Sequence, residues 1–187
     1  SEKFIKGILS SFSSNIAVID KDGVIISTND SWKSFSIDNN CPDPIITCEG
    51  ANYFRVCEKA VASGDEIALK VLDGLNSILE NKIELFQIEY PCHSDTVIRW
   101  FLLNATPLKG ESYKIVIRHV DITKRKIAEQ KLAESEQKYR AIIENSQELI
   151  ISMDNNGVIT FANKVWENIL GYKEEELLGR KFLDLVN

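Results

Sequence analysis

The sequence predicts an α+β chain in which short helices lie on one side of a five-stranded antiparallel sheet. Three observations carry this. First, a segment recurs: Ile16 to Trp32 reads IAVIDKDGVIISTNDSW and Ile150 to Trp166 reads IISMDNNGVITFANKVW, an offset of 134 with seven identities in seventeen positions. Second, three strand-like runs follow the first copy. Third, a charged helical stretch separates the copies. The expected organisation is one complete domain over residues 1–120, a linker helix over 121–145, and the N-terminal half of a second domain over 146–187.

Each copy opens with an apolar run that ends at Asp (Asp20, Asp154), a turn, and a second apolar run. Asp22–Gly23 and Asn156–Gly157 supply the turn, because a tight hairpin needs positive φ. Asn29 and Asn163 follow, then a helical pattern carrying Trp32 or Trp166. From Tyr53 to Glu80 the apolar residues recur at helical spacing, with Ser63–Gly64–Asp65 as an interruption. Lys82 to Cys92 alternates as a strand, with Pro91 at its end or at an edge. Val97 to Pro107 is the next strand, and its near-continuous run Trp100 to Leu103 predicts burial on both faces. Tyr113 to Val120 is the last. A lone hairpin with short helices is marginal, so the second copy is expected to have its apolar surface covered by another chain, the linker or the first domain.

The linker, Asp121 to Asn145, reads as one helix about 37 Å long, with Asp121 or Thr123 as its cap. Ala128, Leu132, Ser135, Tyr139 and Ile142 follow a 4-3-4-3 spacing, a short heptad seam with Leu132 and Tyr139 at a-like positions. The pattern fits a parallel dimer helix that carries a signal. It also fits a helix packed on its own domain.

Net charge is −6, without a basic stripe, which argues against nucleic acid as a partner. No apolar stretch reaches the ~18 residues of a membrane span, and the N-terminus does not resemble a signal peptide. The expectation is a soluble, cytoplasmic segment, whatever membrane anchor its parent carries elsewhere. The four cysteines, Cys41, Cys48, Cys57 and Cys92, form no C-x-x-C pair and suit reduced thiols in a cytosol.

The order and spacing of these motifs resemble the PAS family. The pattern D-x-x-G-x-I-x-x-x-N stands at Asp20–Gly23–Ile25–Asn29 and again at Asp154–Gly157–Ile159–Asn163. Asp121–Ile122–Thr123 is similar to the family's DIT motif before an exit helix. Gly171–Tyr172, Glu174–Leu177 and Gly179 are similar to its GY-xxxEL-xG segment, for which the first copy has no evident counterpart, so the stretch between Asp38 and Gly50 reads as atypical. The resemblance implies the PAS fold and a regulatory module of a signalling protein. The implied partners are a homodimeric copy and a downstream output domain. That output is most often a histidine kinase and sometimes a diguanylate cyclase. The relay would run through Asp121, Ile122, Thr123, Leu132 and Tyr139.

The resemblance also implies a ligand pocket between helices and sheet. Tyr53, Phe54, Cys57, Phe86, Tyr90, Trp100 and Leu102 are the candidates to line it; the alternative is that these residues simply fill a core and the domain is a ligand-free relay. Cofactor chemistry has less support. Cys92–His93 and His119 lack the spacing of zinc or covalent haem sites, and no metal site is expected. Adjacent strand residues face opposite ways, so Cys92 and His93 do not readily share one site. Flavin photochemistry is disfavoured: the light-sensing members bond flavin through Cys in an Asn-Cys-Arg-Phe motif, and here Asn52 is followed by Tyr53–Phe54–Arg55. Nothing in the sequence supports nucleophilic catalysis.

Overall fold

The structure, a computed structural model, describes residues 7–38, 48–92, 97–110 and 113–185. It divides into two compact units, residues 1–126 and 127–187. In the first, β1 (Asn15–Ile19) and β2 (Ile25–Thr28) form a hairpin, followed by α1 (Asp30–Asp38), α2 (Tyr53–Ala62) and α3 (Glu66–Leu79), then β3 (Phe86–Pro91), β4 (Trp100–Pro107) and β5 (Ile115–Asp121). The sheet order is β2-β1-β5-β4-β3, antiparallel at every pairing. This is the α+β architecture the strand pattern predicts.

Local chemistry sets the element boundaries. The Asp20 carboxylate accepts hydrogen bonds from Asp22 N (3.0 Å) and Val24 N (2.8 Å), while Gly23 takes φ 80° to close the turn. Only glycine suits Gly23 twice over, since a Cβ there would also meet the Phe54 ring at 2.5 Å. Asn52 caps α2 through Arg55 N at 3.0 Å, and Asp65 caps α3 through Ile67 N and Ala68 N. The core lies between the sheet and α3, around Ile19, Leu75, Leu103, Ile115 and Ile117.

The strands are shorter at their starts than the sequence pattern implies. β3 begins at Phe86 rather than Lys82, and β4 at Trp100 rather than Val97. Pro91 ends β3, an edge strand, where its missing N–H breaks no ladder bond. Burial of β4 is uneven between its faces: Phe101, Leu103 and Ala105 are buried on the helix side, while on the other Trp100 and Leu102 are half-buried and Asn104 is buried. Asp121, expected within the linker helix, instead ends β5, paired with Phe101. The helix itself, α4, runs Thr123–Glu144 and is about 33 Å long.

The second unit holds β6 (Ile151–Met153), β7 (Ile159–Ala162), α5 (Val165–Leu170), α6 (Glu174–Leu177) and a 3-10 turn at Phe182–Leu185. Its hairpin repeats the first in register. Ala17↔Thr28, Val18↔Ser27 and Ile19↔Ile25 become Ile151↔Ala162, Ser152↔Phe161 and Met153↔Ile159, with the irregularity at the same step. The equivalence continues past the helices. Gly50 N donates to Ile25 O and Ile25 N to Ala51 O; likewise Gly179 N donates to Ile159 O and Ile159 N to Arg180 O. Gly50 and Gly179 share positive φ. The first copy therefore does have a counterpart of Gly179, at an offset of 129. Much of the stretch read as atypical, 39–47, lies outside the described residues.

Candidate functional site

A cleft of about 270 Å³ opens between the helices and the sheet of the first unit. Helix α2 contributes Tyr53, Val56, Cys57 and Ala60; the start of α3 contributes Asp65, Ile67, Ala68 and Val71; the sheet contributes Tyr90, Leu103 and His119. Strand alternation explains the sheet residues. Ile115, Ile117 and His119 share the buried face of β5, and His119 sits opposite Leu103 on β4 and Asn15 on β1. His119 is 9% exposed. Its Nδ1 lies 2.5 Å from the Tyr90 hydroxyl, and Trp32 meets its ring edge-on at 5.2 Å. Its Nε2 is buried and makes no hydrogen bond.

The histidine, the tyrosines and the cysteine of the cleft are uncharged at neutral pH, beside the Asp65 carboxylate. Burial brings His119 down to about 4, so the imidazole is neutral. Burial raises Tyr53 well above the ordinary phenol value, with Cys57 and Tyr90 adding to it. The Cys57 thiol is pushed up to about 12, by burial first and then by the charges of Asp65 and Glu58. Burial likewise raises Tyr90. The Asp65 carboxylate is engaged in capping α3.

Of the seven expected lining residues, Tyr53, Cys57 and Tyr90 are brought together at the cleft. Phe54 and Phe86 pack instead against Gly23 and Gly74, as part of the core periphery. Trp100 and Leu102 project from the opposite face of β4 and do not line the cleft. His119 and Leu103 do line it. Their signal was the period of two, which puts His119 in phase with Ile115 and Ile117. His93 lies outside the described residues, and no group of three metal-ligating side chains occurs among those described.

A second hollow of about 220 Å³ reaches His119 from another side, past Phe35, Phe101 and Asp121. Another hollow, about 410 Å³, is walled in part by the turn residues Asn81, Leu108 and Gly110, away from the buried titratable groups.

On the other face of the sheet the same strands hold the start of α4. Ile122 N donates to Trp100 O at 2.9 Å, and Trp100 N donates to Thr123 Oγ1 at 3.0 Å. The Asp121 carboxylate accepts from Thr123 N at 2.8 Å. Lys126 Nζ sits 2.5 Å from Glu89 Oε2 and over the Trp100 ring, and the Arg125 guanidinium takes the other Glu89 oxygen. These two hydrogen bonds, that to Lys126 first, hold the Glu89 carboxyl below its usual range. Further along α4, Leu132 and Tyr139 are 62% and 64% exposed.

The second unit fastens the end of α4 to its own hairpin. Asn163 Nδ2 donates to Ile143 O (3.0 Å) and Glu148 O (2.9 Å), and its Oδ1 accepts from Ile150 N. Asn29 makes the same contacts one repeat earlier, to Leu9 O, Ser14 O and Ile16 N. A family model, described as PAS fold, matches residues 137–187. Residues 137–187 belong to a PAS domain. The PAS assignment agrees with the repeat, since both hairpins share one register and one asparagine clamp.

Among curated proteins, the chain is 33% identical over 125 residues to an uncharacterized 104.1 kDa protein of Rhodobacter capsulatus, covering 65% of this chain and 13% of that protein. It is 36% identical over 62 residues to the two-component sensor PprA of Pseudomonas aeruginosa, covering 33% and 7%. It is 26% identical over 195 residues to sporulation kinase E of Bacillus subtilis, covering 99% and 23%. The chain thus spans less than a quarter of the length of each of these relatives. Among solved structures, it is similar to the PAS domain of BvgS from Bordetella pertussis (19% identity, TM-score 0.47, covering 73% of this chain and 97% of that one).

Proposed function

We propose that this PAS segment is the sensing and relay part of a signal-transduction protein of the sensor histidine kinase type. Residues 1–120 are its sensory domain, 121–145 its connector and 146–187 the opening half of a second PAS domain. The connector carries the signal as a homodimer helix, through Leu132 and Tyr139, toward an output domain. A cytoplasmic location suits the free thiols of Cys48, Cys57 and Cys92. The observation that carries the reading is the position of two neighbours on β3. Tyr90 faces the cleft and bonds His119, while Glu89, one residue earlier, faces the other way and holds Arg125 and Lys126. A shift of β3 caused at Tyr90 therefore reaches the first turn of α4 with no intermediate residue.

Two measurements test this. Glu89→Gln is expected to speed hydrogen exchange in the first turns of α4 while leaving the β4 and β5 amides protected. Unchanged exchange in α4 contradicts the latch. Sedimentation at micromolar concentration is expected to show a dimer that Leu132→Lys with Tyr139→Lys dissociates, because a two-heptad seam has no spare apolar contacts. A strict monomer before substitution contradicts the dimeric relay.

A further inference from the structure

The two hairpin turns are built alike but covered differently. In the first, Asn52 Nδ2 donates to Asp22 O at 2.8 Å, and the Phe54 ring lies where a Cβ on Gly23 would be. The second unit repeats the frame. The bridge Val24↔Asn52 becomes Val158↔Lys181, and the bond from Tyr53 N to Gly23 O becomes one from Phe182 N to Gly157 O. Leu183 thus stands in the place of Phe54, but it is 72% exposed, and nothing among the described residues lies within 4 Å of a Cβ built on Gly157. Lys181 puts an ammonium on a flexible stem where the first turn has the short amide of Asn52. This uncovered turn carries the chain's one Asn-Gly step, Asn156–Gly157, and Asn156 is exposed. Asparagine is a thermolabile residue, most of all before glycine, where no Cβ hinders the approach of the backbone nitrogen to the asparagine side chain.

We propose that Asn156 is a site of spontaneous covalent modification that loosens the second hairpin. The Gly157 nitrogen, having lost its proton to base, attacks the carbonyl carbon of the Asn156 side chain. A C–N bond forms, and the side-chain amide leaves as ammonia, taking up a proton. Water opens the resulting succinimide at either carbonyl, which gives aspartate or isoaspartate at position 156. Water is consumed and ammonia released, with no oxidant or reductant. The folded turn slows the step without blocking it: Gly157 N donates to Asp154 O at 3.0 Å, and this bond must open before the nitrogen attacks. Isoaspartate adds a methylene to the backbone between Asn156 N and Gly157 N. The Asp154 carboxylate, which accepts from Asn156 N at 2.8 Å and Val158 N at 2.9 Å, then no longer spans both. The hairpin that clamps the end of α4 through Asn163 loosens as a result.

The test ages the whole chain in mildly alkaline buffer. Peptide mass spectrometry maps the conversion of amide to acid, and labelling by an isoaspartyl methyltransferase locates isoaspartate. Asn156 is expected to convert before every other asparagine, at a rate that rises with pH. It should convert about threefold or more faster than the Asn-Gly step that Asp22→Asn creates in the covered first turn, because the two turns differ in how readily they open. In urea the two steps should convert at similar rates. Hydrogen exchange of the aged chain should be faster in β6 and β7 and unchanged in β1 and β2. Asn156→Gln, whose longer side chain closes a ring with difficulty, should age without that change. An Asn156 that stays intact while other asparagines convert, equal rates at the two turns of the folded chain, or hairpin exchange that stays constant as isoaspartate accumulates overturns the proposal.

Discussion

Replacing Asn29 by Ala should remove about 3–4 kcal/mol of stability from the first unit, which is a large part of the 5–15 kcal/mol typical of a domain. Asn29 is 1% exposed and works as a clamp. Its Oδ1 accepts from Ile16 N (2.9 Å) and Trp32 N (3.0 Å), and its Nδ2 donates to Leu9 O and Ser14 O. Ala leaves at least two buried backbone groups without a partner, at about 1–3 kcal/mol each. A urea melt measures it: the midpoint should fall while the slope stays constant. A loss below about 1 kcal/mol would mean that water replaces the clamp at no cost. Asn163→Ala should act by the same means in the second unit and should also take from Ile143 O, at the end of α4, one of its two donors, leaving Ser146 N.

Stability should also fall as the pH drops from about 6.5 toward 4, through His119. Its folded value, about 4, lies below the ordinary 6.5 because burial disfavours the imidazolium. The unfolded chain therefore binds the proton first. The stabilising contribution is complete above about 6.5 and is lost on approach to 4, with a limit of about 3 kcal/mol. Tyr53, Cys57 and Tyr90 remain protonated throughout this window, since all three are shifted upward. Glu89 and Asp154 are shifted down from ordinary carboxylate values, so their contributions fade only at still lower pH. Stability of His119→Gln across pH 4–7 is the check. The slope above pH 5 should flatten, and persistence of the full slope would assign it to other groups.

The hairpin turns, the paired asparagines and the start of the exit helix were readable because each rests on a few residues at fixed spacing. Asp20 and Asp154 hold their turns by the same two backbone bonds, so identity of sequence became identity of geometry. The equivalence of Gly50 and Gly179 was hidden, because the segments before them differ in length by five residues and share no motif. Trp100 and Leu102 were misplaced for a different reason. The apolar run from Trp100 to Leu103 masks the alternation of β4, and only its pairing with Tyr90 and Ile88 shows which face meets the helices. His119 is the opposite case. Its phase with Ile115 and Ile117 puts it on the buried face, but burial of a lone histidine has no signature beyond that phase.

The two hairpins share a register, yet they differ in what lies beside them. β1 has a ladder on each side, β2 on one and β5 on the other, whereas β6 pairs with β7 alone among the described residues. Ile19 is fully buried, and its equivalent Met153 is 46% exposed. One flank of β6 thus offers a row of backbone donors and acceptors beside an apolar side chain, with no Pro or Lys in the strand to discourage pairing. Yet β6 is only three residues long, and so short an edge discourages pairing, so this flank marks where the second unit departs from the first rather than a strong docking strand.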